Sequence, residues 1–360
     1  MNQNFNRKII LFGIILSSLL FTVFTTASSK PKHLQPLSKN INKIDNFENP
    51  AKNLVIKILQ SRKLQDKNSM EAIKDKSSEV EKLAEGFEFI EGPVWHPEGF
   101  LLFSDINGDT IYQLQENQKA EIFRRPSGKS NGNTLDREGR LITAEHTNRR
   151  VSRTEIDGKI VTLADKYEGK SLNSPNDLVV KSDGSIYFTD PPYGIKKEQE
   201  ELGFYGVYRI APDGKLTLLV KDFVRPNGLT FSPDEKTLYI DDSDKGHIRA
   251  FDVNSDGSLI NGRIFAELKD PNKKGVPDGM KTDIQGNIYS TGPGGVWVFS
   301  PASNLLGTIE VPEAATNLAW GDSDSKALYI TAGKSLYRIR LKIAGVRPNS
   351  IGNNQNLKPI

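Results

Sequence analysis

The chain has 360 residues, of which 36% are hydrophobic and 26% charged, and a formal net charge of +3. This balance suits a soluble globular protein with an adequate core and excludes a disordered or membrane-embedded chain. There is no cysteine, which excludes disulfides, thiolate nucleophiles, cysteine zinc sites and a lipidated cysteine at an export site.

The N-terminus reads as an export signal: Arg7 and Lys8 precede the apolar run from Ile9 to Phe24, and the small residues Thr25, Thr26, Ala27 and Ser28 follow. Cleavage after Ala27, ending the signal at residue 27, is the expected outcome and gives a periplasmic or extracellular protein. The run approaches the ~20 residues that span a bilayer, so an uncleaved anchor is the alternative and the sole membrane contact expected. Residues 28–78 read as a polar, Lys-rich linker, partly helical around Leu54 to Leu59, whose Lys30, Lys32, Lys39 and Lys43 are solvated. The remainder is mildly acidic and carries no basic stripe interleaved with aromatics, so nucleic acid is not an expected partner.

From residue 79 to 342 one unit recurs six times at intervals of roughly 40 to 50 residues. The clear copies run from His96 to Asp105, Asp136 to Glu145 and Lys181 to Asp190; weaker ones run from Ser232 to Asp241, Asp283 to Gly292 and Asp322 to Thr331. Each joins a turn bearing Asp, Gly or Ser to a short strand rich in β-branched and aromatic residues. Further strand-like runs, such as Val207 to Val220, bring the period to about four strands. The predicted fold is all-β, a six-bladed β-propeller with four-stranded blades and a central metal site. Val80 to Leu83 are predicted to close it beside Ser335 to Arg340, and residues 343–360 form a C-terminal tail.

At one fixed distance before the turn glycine or its equivalent, every unit carries an oxygen-bearing side chain: Glu91, Asn131, Asn176, Asn227, Asp278 and Asn317. Asn, Asp and Gly suit turns for their own sake, but equivalent positions in a radial repeat form a ring, and Glu91 has no turn preference. Inward-facing polar groups in such number are costly unless compensated. A hard cation bound by carboxylates, amide carbonyls and water offsets that cost. Calcium is the first choice, with magnesium, manganese or zinc as alternatives; zinc would ordinarily want His or Cys, and none of the four histidines shares the ring phase. Asn317 is assigned a structural role.

The segments Ser130-Asn-Gly-Asn-Thr-Leu-Asp-Arg-Glu-Gly-Arg140, Glu145-His-Thr-Asn-Arg-Arg-Val151, and Ser174-Pro-Asn-Asp through Thr189-Asp-Pro-Pro-Tyr-Gly194 resemble the senescence-marker-protein, gluconolactonase and luciferin-regenerating-enzyme family, particularly its bacterial gluconolactonases. The resemblance covers about Glu79 to Leu341. It implies that Glu91, Asn227 and Asp278 hold a divalent ion with Asn176 completing or bordering the site, and that the substrate is a small lactone or ester. On that expectation the cation polarises the carbonyl while water attacks, with Asp278 as base. Asn131, Asn133, His146 and Tyr193 are the expected substrate contacts, and Arg149 and Arg150 are candidates to grip a carboxylate product.

Other motifs fail. Asp105-Ile-Asn-Gly-Asp109 has Thr110 where a calcium-binding EF-hand loop needs glycine, and neither a phosphate-binding P-loop nor a Gly-x-Ser-x-Gly elbow occurs. The rival readings are an organophosphate or aryl ester hydrolase on the same fold, and a non-catalytic binding propeller.

Overall fold

In the computed structural model, residues 70–116 and 118–348 are described; the export signal, its cleavage point and Leu54 to Leu59 lie outside the described residues. Six four-stranded antiparallel sheets follow one another along the chain. The first comprises Ile90–His96, Phe100–Asp105, Thr110–Gln115 and Glu121–Arg124. In the second, Ser130–Leu135 pairs with Leu141–Glu145, then Arg150–Thr154 and Ile160–Ala164. The third begins at Leu178–Val180, the fourth at Pro226–Phe231 and the fifth at Met280–Thr282. The sixth takes Ala315–Gly321, Ala327–Ala332 and Ser335–Arg340 and borrows its last strand, Glu81–Glu85, from the start of the domain. This is the six-bladed β-propeller the sequence predicts, closed where expected: Glu81 lies opposite Arg338 and Glu85 opposite Ser335.

Alternation along each strand explains why the blades stack. Successive side chains point to opposite sheet faces, and here both faces are covered. Phe100 and Leu102 pack with Leu135 and Leu141 of the second blade, whereas Leu101 and Phe103 pack with Ala319, Ala327 and Tyr329 of the sixth. The near-continuous apolar run Phe100-Leu-Leu-Phe103 is therefore the signature of a strand buried on both sides. Equivalent apolar layers lie between the other neighbouring blades.

Hydrogen bonds near the axis stitch all six junctions. The Asn133 amide donates to Gly92 O at 2.9 Å, Gly132 N–H to Asn176 O at 2.8 Å and Gly279 N–H to Thr316 O at 2.7 Å. The hydroxyls of Thr189, Thr282 and Thr316 donate to Asn227 O, Phe231 O and Ile90 O at 2.7, 2.8 and 2.9 Å.

Two segments flanking the blades also pack on them. The helical turn Met70–Ile73 buries Ile73 among residues of the fifth and sixth blades, and Lys342 N–H donates to Ile73 O at 2.8 Å. Beyond the last strand, Val346 N–H donates to Thr282 O at 3.0 Å.

Starting the chain at Gly86 would leave Ser335–Arg340 as an open edge. Relative to the full domain, that variant should lose more than about 4 kcal/mol in urea unfolding, or aggregate through the bare strand.

Candidate active site

The ring residues sit where the inner strands come closest to the axis. In the first, second, fourth and sixth blades the ladder between the first two strands breaks register here, a bulge that re-aims a side chain. In the third and fifth blades the inner strand begins only after Asn176 and Asp278. The next residue is glycine in four blades because the neighbouring backbone leaves no room. A Cβ on Gly228 would fall 1.9 Å from the Asp278 carbonyl oxygen, and one on Gly92 2.0 Å from that of Asn131. The third blade has Asp177 at this place and the sixth has Leu318.

Buried carboxylates hold the segments leading to the ring. Asp105 accepts from the backbone N–H of Glu88 and Phe89, each at 3.0 Å. Asp190 accepts from Asn173 and Ser174 at 2.8 and 2.7 Å, and Asp242 from Val224 at 2.7 Å and Arg225 at 3.2 Å. All three end the second strand of their blade, so one device fixes Glu91, Asn176 and Asn227 in turn.

The amides form a chain around part of the ring. Asn131 Nδ2 donates to Asn176 Oδ1, and Asn176 Nδ2 to Asn227 Oδ1. Asn227 Nδ2 donates to Ser243 Oγ at 3.0 Å and to the Tyr193 hydroxyl at 3.3 Å. The Ser243 hydroxyl in turn donates to Pro277 O at 2.7 Å, one residue from Asp278. His146 Nε2 stands 3.3 Å from Asn131 Nδ2 and 3.2 Å from Asn176 Oδ1. Burial, reinforced by the charge of Lys129 and opposed by the contact with Asn176, pushes this imidazole down to about 4, so it is neutral at physiological pH.

Elsewhere on the ring Glu91 Oε2 accepts from Gly92 N–H at 2.6 Å and from Asn317 Nδ2 at 2.9 Å. The same Asn317 amide lies 3.4 Å from Asp177 Oδ2, which reaches it from the third blade. Burial, followed by the charge of Asp177, pushes the Glu91 carboxyl up to about 7. Asp278, partly exposed, is held well above the usual carboxylate range by burial of its carboxyl and then by Glu91, Asp241 and Asp177. Asp241 is fully buried, and neither of its oxygens makes a hydrogen bond of good geometry although Gly228 N–H is near. Burial and then Asp177 raise it well above its ordinary value too.

The channel therefore gathers Glu91, Asn131, Asn176, Asn227, Asp278, His146 and Tyr193. Asn133 is directed between blades: its amide nitrogen meets Gly92 O and, at 2.8 Å, Ser104 Oγ, while its oxygen accepts from Thr143 Oγ1 at 3.1 Å. Arg149 donates to Leu172 O at 2.6 Å and Arg150 to Glu145 at 2.7 Å, so both guanidinium groups are engaged within the protein. Asp177, Asp241 and Ser243 were not singled out by sequence reasoning. Asp177 had a readable signal, a carboxylate occupying the slot that is glycine in four other blades.

As a donor set, two carboxylates and two amide oxygens suit a hard divalent cation completed by water. Asn227 Oδ1 retains a second lone pair beyond the hydrogen bond it accepts from Asn176, and Asn176 Oδ1 retains one in the His146 tautomer whose Nε2 accepts from Asn131 rather than donating. Among the described residues, no three His, Cys, Asp or Glu groups could hold an ion by themselves, so such an ion would depend on Asn176 and Asn227. The mutually repelling buried carboxylates supply the charge it would neutralise.

Two predictions follow from this geometry. Gly228→Ala should destabilise the fold by about 3 kcal/mol or more, read from urea unfolding, because the obstructing atom is backbone. His146, lowered from 6.5 to about 4 in the folded chain, binds a proton more readily when unfolded. The associated stability is present above pH 6.5 and is lost towards pH 4, by roughly 3 kcal/mol. Unfolding at pH 7 and pH 4.5 should show a smaller acid loss in His146→Gln; an equal loss would contradict a buried neutral imidazole.

Comparison with known proteins agrees with this geometry. Residues 89–334 match the profile of the SMP-30/gluconolactonase/LRE-like region. A gluconolactonase of Zymomonas mobilis is 33% identical over 77% of this chain and 85% of its own. The solved structure of a gluconolactonase from Xanthomonas campestris superposes with a TM-score of 0.69 at 36% identity, covering 74% of this chain and 90% of that one. The calcium-binding protein regucalcin from Agrobacterium tumefaciens shares the fold, with a TM-score of 0.63 at 19% identity over 73% of this chain and 93% of its own. Profile, sequence and architecture agree that the chain belongs to the SMP-30/gluconolactonase/LRE-like family.

Proposed function

We propose that this protein is a lactone hydrolase that opens sugar lactones such as glucono-1,5-lactone to the aldonic acid. The observation that carries the reading is the convergence of Glu91 and Asp278 with the amides of Asn176 and Asn227 on one channel, in a chain 33% identical to a gluconolactonase. These four residues would hold a divalent cation, calcium first, which when bound supplies positive charge for the lactone carbonyl oxygen and acidifies water.

The remaining work falls to the chain. Asn131 and the neutral His146 offer hydrogen bonds to substrate hydroxyls. The Tyr193 phenol is held protonated by burial and by the nearby Asp278 charge, so it can donate a proton in a hydrogen bond without losing it. Asp278 is the base: bound to a cation, this carboxylate would have a lower proton affinity, but the attacking water would be acidified as well, and a strained lactone needs only that modest help. As the new C–O bond forms, the ring C–O bond breaks, and the departing ring oxygen takes up a proton to give the hydroxy acid.

Export belongs to the same reading and rests on Arg7, Lys8 and the apolar run to Phe24. A mature chain beginning at Ser28, identified by mass in an envelope or extracellular fraction, is the expected result. An unprocessed chain in the cytoplasm would contradict it.

The test is hydrolysis of glucono-1,5-lactone by residues 28–360, corrected for spontaneous opening. Chelation should abolish catalysis, and Asp278→Asn should lower kcat by at least about a hundredfold. Turnover of a phosphotriester or aryl ester without turnover of any lactone would replace the substrate class proposed here.

A further inference from the structure

We propose that Arg225, laid over Tyr193 at the channel mouth, is a specificity residue that binds a carboxylate or phosphate substituent on the lactone. This rests on the lactonase reading above and adds the chemical class of its substrate: a lactone bearing an anionic group remote from the carbonyl.

Arg225 stands apart from every other arginine among the described residues. Each of the others donates at least one side-chain hydrogen bond to the protein. The guanidinium of Arg225 donates none, and its Nε is buried without a hydrogen bond. Asp244 lies 3.5 Å from that nitrogen as an ion pair, but the hydrogen-bonding edge of the fork is left for a ligand. A planar fork of this kind matches a carboxylate or phosphate and confers orientation as well as charge.

The position is also fixed relative to the reaction site. The guanidinium carbon lies 5.2 Å from the centroid of the Tyr193 ring. The hydroxyl of that ring accepts from Asn227 Nδ2 at 3.3 Å, so Tyr193 links the guanidinium to a proposed cation ligand. The backbone is pinned on both sides: Arg225 N–H donates to Asp242 Oδ1 at 3.2 Å, and its carbonyl accepts from Ser243 N–H at 3.1 Å. Stacking on an aromatic face restrains the side chain further. At 38% exposure it remains open to solvent. A second exposed cation, Lys129, stands beside the channel residue His146, whose backbone N–H donates to Lys129 O at 3.2 Å. That arrangement favours a substrate whose far end is negative.

The experiment compares wild type, Arg225→Gln and Arg225→Lys, each loaded with calcium. The substrates are glucono-1,5-lactone, its 6-phosphate and a glucarolactone. Their product anions gluconate, 6-phosphogluconate and glucarate are titrated in parallel by calorimetry, which needs no turnover. In Arg225→Gln the ratio of kcat/KM for the charged over the neutral lactone should fall at least about tenfold, chiefly through KM, and Arg225→Lys should recover part of it. A fall confined to one charged substrate assigns the group as phosphate or carboxylate. An unchanged ratio overturns the proposal, as does wild-type protein that binds 6-phosphogluconate and glucarate no better than gluconate. If wild type turns over no lactone yet binds either anion through Arg225, the hydrolase reading falls and the anion site stands.

Discussion

The structure depends on how closely six inner strands approach a common axis. Backbone meets backbone there, as the 1.9 Å clearance between a hypothetical Cβ on Gly228 and the Asp278 carbonyl makes plain. Contact at that range forces glycine beside most ring positions and breaks the ladder register in four blades. The side chains preceding these glycines turn into the channel, where Glu91, Asn131 and Asn227 meet polar ring residues of other blades. Polar side chains accumulate there because geometry delivers them, and the apolar layers between blades supply the stability that offsets their burial.

Chemistry grows out of the same crowding. Glu91, Asp241 and Asp278 hold protons more tightly than ordinary carboxylates because burial strips them of water and the neighbouring carboxylates, Asp177 among them, add repulsion. Such a cluster either takes up protons or acquires a cation; a cation would keep the carboxylates ionised, leaving one free to act as a base, and would offer charge to a developing oxyanion. The amide chain from Asn131 through Asn176 to Asn227 fixes the orientation of the neutral members. Asp105, Asp190 and Asp242, placed behind the ring, hold the loops that deliver it.

Much of this was legible in the sequence, for identifiable reasons. A propeller repeats its turn chemistry, so Gly99, Gly139 and Gly184 mark the phase of the first three blades and the ring residues can be counted back from them. Closure by Glu81–Glu85 was readable because a lone strand before the first repeat needs a partner. Asp241 was not readable. It precedes Asp242 in one strand, and only the fold shows that the first faces the channel while the second caps a loop. Asn133 shares a motif with Asn131, yet two residues along a bulged strand separate a channel amide from one that stitches blades. Arg225 looks like any surface arginine until its missing hydrogen bonds are set against those of the others.

The central claim is that the axial oxygens form a cation site whose two acidic members are Glu91 and Asp278. Calorimetric titration of calcium into metal-free protein, with the thermal midpoint followed alongside, tests it most directly. The account predicts one ion per chain, a raised midpoint, and loss of both effects in Glu91→Gln with the fold retained. A protein that binds no divalent ion, or a Glu91→Gln variant that binds calcium as tightly as wild type, would contradict it.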